Sequence, residues 1–272
     1  METQFVLNIN SDLDKEYFSY CNEGFYIKTI LDRLKVKHQY CVDLGASDGL
    51  SMSNTFPLFR QGWQGLAVEC DSEKFAKLAI FYGLVTQVTQ VNLCKAQITP
   101  NNVNAILRAN EVPREFGLLS LDIDSYDHFV LEKVLQNYKP TIICTEINAT
   151  IPPPIRFAVK WQPDLDYRNL KSDFFGQSLS QLYVLGDRYG YELAHLEYNN
   201  AFLIPKELNP FAALTPGEAY KTGYSETPDR LDRFPWSRDS PFDRLHQIPT
   251  AEAIAFLQEQ FAEYEGRYLL SW

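Results

Sequence analysis

Cys41-Val42-Asp43-Leu44-Gly45-Ala46-Ser47-Asp48-Gly49 decides how this chain is read. A short apolar run ends beside an acidic residue, and two glycines four apart follow where the chain turns toward a helix. Gly45 lets the backbone approach a ligand without a Cβ in the way, and Gly49 permits a tight return. In nucleotide-binding α/β folds such a turn lies at the C-terminal edge of a parallel sheet, where ligands bind. The stretch is not GxGxxG. Ser47 replaces the second glycine, and Asp48 would place a negative charge where a pyrophosphate would lie. The pattern therefore disfavours NAD or FAD and favours a ligand carrying positive charge. Glu69 closes the next apolar run, Leu66-Ala67-Val68-Glu69, at the spacing where a carboxylate accepts both hydroxyls of a ribose.

Working outward, strand-like runs at Tyr40–Leu44, Leu66–Cys70, Val85–Leu93, Gly117–Asp122, Thr141–Ile147, Tyr191–Leu196 and Ala201–Ile204 alternate with helical periodicity. Most of the first five are nearly continuous apolar, as strands buried on both faces of a parallel sheet must be. Helices are expected over Glu23–Leu34, around Phe129–Leu135 and from Leu179 to a stop at Gly190. Strands alternating with helices predict a layered α/β fold. Three regions follow: an N-terminal helical segment over 1–38, a core over 39–206, and a C-terminal arm over 207–272. The arm is rich in proline and aromatic residues, and a last helix is expected from Ala251 to about Tyr264.

The chain has 272 residues, of which 35 are acidic and 25 basic, for a net charge of −10. With 45% hydrophobic and 22% charged residues it is neither disordered nor fibrous. The acidic balance argues against a nucleic-acid partner. No apolar run approaches the roughly 20 residues of a membrane span. Met1-Glu2-Thr3-Gln4 lacks the basic start of a signal peptide. Cys21, Cys41, Cys70, Cys94 and Cys144 are scattered, with no CxxC spacing, so no structural zinc is expected and a cytoplasmic setting is.

Val42–Gly49, then Ser53-Asn54-Thr55, then Gly62-Trp63-Gln64-Gly65-Leu66-Ala67-Val68-Glu69 resembles the class I S-adenosyl-L-methionine-dependent methyltransferases. It is most similar to their FkbM-type branch, with its DxGAxDG … SNT … GWxGxxxE pattern. The resemblance continues through Leu119-Ser120-Leu121-Asp122-Ile123-Asp124-Ser125-Tyr126-Asp127, Lys139-Pro140-Thr141-Ile142-Ile143-Cys144-Thr145-Glu146 and Gly190-Tyr191-Glu192-Leu193. It implies a Rossmann-like fold with a central, mostly parallel seven-stranded sheet and helices on both faces. It further implies that Gly45, Ala46 and Gly49 line the methionine part of the cofactor, with Asp43 or Asp48 near its ammonium. Ser47, Asn54, Cys70 and Asp122 belong to the same implied cofactor set. Glu69 would hold the ribose and Asn92 would meet the adenine.

The ends of the fourth and fifth strands carry Asp122, Asp124 and Asp127, and Glu146-Ile147-Asn148. Hard oxygen ligands of this kind suit Mg²⁺. Metal-dependent catechol and sugar O-methyltransferases use a similar set, here Asp122, Glu146 and Asn148, although Ile147 interrupts the usual acid/amide pair. Alternatively Asp122 touches the cofactor and the other acids are solvated or cap the following helix. Without a metal, a general base must take the hydroxyl proton. Asp124 is the first choice by position and His128 the second by its intrinsic pKa. An aperiodic stretch after Ile151-Pro152-Pro153-Pro154, carrying Arg156, Lys160, Trp161, Tyr167, Arg168 and Lys171, reads as a binding loop or a packing loop. The expectation is methyl transfer to a hydroxyl of a small-molecule acceptor, a sugar or specialised metabolite, by a protein that could form a homo-oligomer. An NAD-dependent oxidoreductase and a non-catalytic scaffold of the same fold are the alternatives.

Overall fold

A computed structural model describes residues 16–85 and 88–272. The reading of the first residues as lacking a signal peptide lies outside this range, as do Thr86 and Gln87.

The chain order is α1 (Glu23–Leu34), β1 (Tyr40–Leu44), α2 (Phe56–Arg60), β2 (Gln64–Glu69), α3 (Ser72–Leu84), β3 (Val91–Lys95), α4 (Val103–Ala109), β4 (Glu115–Leu121), α5 (Asp127–Leu135), β5 (Lys139–Glu146), β6 (Arg156–Val159), α6 (Leu179–Arg188), β7 (Tyr191–Glu197) and β8 (Asn200–Pro205). Beyond these lie α7 (Pro216–Tyr220), α8 (Arg230–Arg233), α9 (Thr250–Gln260) and β9 (Tyr268–Ser271), with single helical turns between them.

Seven strands form one sheet in the order β3-β2-β1-β4-β5-β8-β7. The pairs from β3 to β5 are parallel, and β8 runs antiparallel to both its neighbours. This is the mostly parallel, Rossmann-like sheet expected from the sequence. Alternation along the strands sorts side chains onto two faces. Val42, Leu44, Leu66 and Val68 join Leu107 of α4, Val130 and Val134 of α5 and Leu182 of α6. Cys41, Ala67, Leu118 and Ile142 join Ile27 of α1, Phe56 of α2 and Phe81 of α3. One face is thus covered by α4, α5 and α6 with Ala219 and Tyr220 of α7, the other by α1, α2 and α3, and β1 is buried throughout apart from Tyr40.

Two expectations shift. The run Val85–Leu93 is not one strand: α3 runs to Leu84, Val85 caps it, and pairing begins only at Val91. A second sheet went unread, in which β6 pairs antiparallel with β9. It anchors a third apolar cluster in which Phe157, Phe174, Phe242, Leu257 and Phe261 are buried together. Residues 151–176 and the C-terminal segment therefore pack against each other beside the main sheet.

Candidate active site

The sheet reverses its winding between β1 and β4, and the C-terminal ends of these strands open the crevice where α/β sheets bind ligands. Gly45 (φ 105°) and Ala46 both donate to the Val68 carbonyl at 3.0 Å, which folds the turn against β2. The requirement for glycine at 45 comes from the other side: a Cβ there would lie 1.7 Å from the carbonyl oxygen of Asp122. At Gly49 (φ 79°) a Cβ would lie 2.3 Å from the Leu78 side chain, so this glycine serves the packing of α3.

The turn's amides are already engaged by carboxylates. Asp48 Oδ1 accepts from Leu50 N at 3.0 Å and Ser51 N at 2.7 Å, and its Oδ2 accepts from Ser51 Oγ at 2.8 Å. Glu69 is buried, accepting from Ser47 N through Oε2 (2.8 Å) and from Asp71 N through Oε1 (2.7 Å). Each Glu69 oxygen retains a second lone-pair direction. Asp43 is buried on the α1–α3 face and accepts from Thr55 Oγ1 at 2.6 Å. Burial pushes its carboxyl up to about 6, the Thr55 hydrogen bond opposes this, and the Glu69 charge adds to it. Asn54 donates to Cys144 Sγ at 3.7 Å, and its buried Oδ1 has no partner. Cys70 is exposed just beyond β2.

Across the crevice, oxygens of Asp122, Asp124 and Glu146 all lie within 4.8 Å of one another. Asp122 and Asp124 both follow β4 at the crevice, where part of each residue reaches solvent while protein crowds the carboxyls, and Glu146 is half-buried with Asn199 Nδ2 donating to it at 2.8 Å. All three carboxyls are raised. For Asp122 and Glu146 the causes are withdrawal from bulk water, then repulsion from neighbouring acids. For Asp124 burial again leads, with Lys74 pulling the other way. Asp127 stands behind this group, capping its loop by accepting from Ile123 N (2.9 Å) and Ser125 N (3.0 Å), and burial lifts it to about 6.

Three expected site residues lie elsewhere. His128 is buried between α5 and α6, with Nδ1 2.9 Å from Gln177 Oε1 and Nε2 3.2 Å from Gln181 Nε2. Both ring nitrogens are spent on packing, and burial lowers its pKa. Asn148 is fully buried and turned to the loop ahead of α6. It donates to the Asp173 carbonyl at 2.9 Å and the Phe175 carbonyl at 3.2 Å, while its Oδ1 accepts from Thr150 Oγ1 at 2.6 Å. It shapes a loop, and Asp124 takes its place beside Asp122 and Glu146. Asn92 pairs in register with Leu66 near the beginning of β3, where its exposed side chain donates to the Asn110 carbonyl at 3.3 Å. Because the strand starts and ends later than the strand-like run Val85–Leu93 suggests, Ala96 and Gln97 occupy the position past its end.

No protein-family model and no curated protein matches the chain. Among solved structures, it is similar to the N-terminal domain of EvdMO1 with SAH bound, at 14% identity over 67% of this chain and 80% of that one, with a TM-score of 0.45. It is also similar to the CcbJ methyltransferase from Streptomyces caelestis, at 10% identity over 68% and 89%, TM-score 0.42. A third is magnesium protoporphyrin IX methyltransferase (ChlM) from Synechocystis PCC 6803 with bound SAH, at 8% identity over 73% and 86%, TM-score 0.42.

Proposed function

We propose that the chain is an S-adenosylmethionine-dependent methyltransferase acting on a hydroxyl of a small molecule. One observation carries this reading: the turn after β1 has its amides occupied by Asp48 and Glu69 and is ringed by acids. A diphosphate would meet carboxylates where it needs donors, which counts against a nicotinamide or flavin dinucleotide. A cationic ligand with a ribose meets the opposite situation. The free lone pairs of Glu69 suit the diol, the unpartnered Asn54 Oδ1 offers an acceptor, and the acidic rim suits a sulfonium and an ammonium. The motifs of Val42–Gly49 and Gly62–Glu69 point to the same chemistry.

The bound cofactor would supply an electrophilic methyl group. The chain's part is to hold the acceptor oxygen in line and to take its proton. Without a metal, Asp124 would take that proton, its carboxyl raised by burial above the ordinary carboxylate range and so a better base. The convergence of Asp122, Asp124 and Glu146, joined to no Lys or Arg by an ion pair among the described residues, favours a refinement. These three would hold a divalent ion such as Mg²⁺, which would lower the pKa of the acceptor hydroxyl.

The five free cysteines support a cytoplasmic setting. No described helix is long and apolar enough to cross a membrane. Titration calorimetry with S-adenosylhomocysteine tests the central reading: saturable binding is expected, with none for NADH. Absence of homocysteine-nucleoside binding, or preference for NADH, would overturn it. Loss of turnover in EDTA with recovery in Mg²⁺ is the expected outcome for the metal, and full activity in EDTA would remove it.

A further inference from the structure

Beside Asp124 the surface dips into a recess of about 190 Å³. Its walls come from one short stretch, Tyr167, Leu170, Lys171, Ser172, Phe174 and Phe175, facing Asp124. This volume is below the roughly 300–1,000 Å³ typical of pockets for drug-sized ligands, and it suits one ring.

The wall is built rather than loose. Gly176 N donates to the Ser125 carbonyl at 2.6 Å, tying the stretch to the loop that carries Asp124. Asn148 holds the carbonyls of Asp173 and Phe175 from behind. Lys171 N donates to Tyr264 Oη at 3.1 Å, and the Phe174 and Tyr264 rings stack at 4.1 Å. The hydroxyl of Tyr167 is committed to the backbone, accepting from Gln162 N at 2.6 Å and donating to the Lys160 carbonyl at 2.9 Å, so it is the ring that remains to offer a surface.

Charge narrows the ligand. Among the described side chains of this stretch the cation is Lys171, which lines the recess with its ammonium paired to Glu263 (2.6 Å) and the Gln260 carbonyl (3.0 Å). The charge at the recess that no described Lys or Arg offsets with an ion pair is the carboxylate of Asp124, with Asp122 and Glu146 close behind it. An anionic ring would be repelled, and a neutral ring would set its apolar face on Leu170 and the aromatic side chains.

We propose that this recess is the acceptor subsite, and that it takes a neutral ring bearing a hydroxyl directed at Asp124. The proposal rests on the methyl-transfer reading for the use made of that hydroxyl. Its ring-binding content stands apart from the cofactor. Saturation-transfer NMR on the full chain, with and without S-adenosylhomocysteine, would use methyl glucoside and p-cresol as neutral probes. Glucuronate and p-hydroxybenzoate are their anionic counterparts. A neutral probe is expected to show contact that its anionic counterpart loses by roughly tenfold, and the stronger neutral probe identifies a sugar or a phenol. Ser172→Trp fills an exposed position in the wall and is expected to abolish the signal with an unchanged melting temperature. Phe175→Ala is expected to weaken it. Equal signals from the anionic rings, no signal from any ring in either arm, or an undiminished signal in S172W would overturn the subsite. Failure to bind S-adenosylhomocysteine while S172W still abolishes ring contact would overturn the methyl-transfer reading alone.

Discussion

Gly45 and Asp122 meet backbone to backbone at the point where the sheet reverses its winding: Asp122 N donates to the Leu44 carbonyl at 3.0 Å, and the Asp122 carbonyl occupies the space a Gly45 side chain would need. The turn that would bind the cofactor and the strand end that carries the candidate base are thus set against each other without an intervening side chain.

Gly45→Ala is therefore expected to cost at least about 3 kcal/mol, from the clash and from a φ of 105° that side chains rarely adopt. Urea denaturation measures this, and S-adenosylhomocysteine affinity should fall with it. A neutral substitution would show that the two strand ends separate freely.

The raised carboxyls set the pH dependence of the unliganded protein. Asp43 and Asp127, each lifted to about 6 by burial, bind protons more tightly folded than unfolded, as do Asp122, Asp124 and Glu146. Stability is then greatest with these groups protonated and falls as pH rises from the ordinary carboxylate range through about 6 and beyond. His128 and His246, lowered by burial, pull the other way below their usual titration, but the raised carboxyls, which also include Glu23 and Asp173, outnumber them. The melting temperature without ligand should be higher at pH 5.5 than at pH 7.5, by differential scanning calorimetry. A flat or rising profile would contradict the acid cluster.

Asp122→Asn separates stability from function. Removing one of the mutually repelling charges should raise the melting temperature at pH 7.5 by a few degrees. Methyl transfer should drop by roughly 10²–10⁴, the range a misplaced proton acceptor costs. A fall in both would mean that Asp122 is chiefly structural.

His128→Gln should behave as a packing variant. Loss of its contacts to Gln177 and Gln181 is expected to cost about 1–3 kcal/mol, while the pH–rate profile keeps its shape. Disappearance of a limb near neutral pH would return His128 to the chemistry.

The strands legible in the sequence are those whose burial is local and continuous, such as Val42 to Leu44, Leu66 to Glu69 and Leu118 to Leu121. What escaped depended on partners far along the chain. The short β6 begins with an exposed Arg156 and finds its mate only at Tyr268–Ser271. His128 and Asn148 have the right chemistry for a site, yet Gln177, Asp173 and Phe175 claim them, and no spacing rule announces such claims. Asn92 was displaced by a different cause: α3 runs to Leu84 and strand pairing begins only at Val91, so the strand continues past Leu93 to Lys95. The acids Asp122, Asp124 and Glu146 were readable because strand ends in a parallel sheet share one edge by construction.

The pairing of β6 with β9 also orders events during synthesis. A chain growing from its N-terminus can complete the seven-stranded sheet once Pro205 has emerged, because every partner in it is by then available. The wall beside Asp124 must wait for Tyr264 and for the strand Tyr268–Ser271, so Phe157 and Phe174 stay uncovered until the last residues arrive.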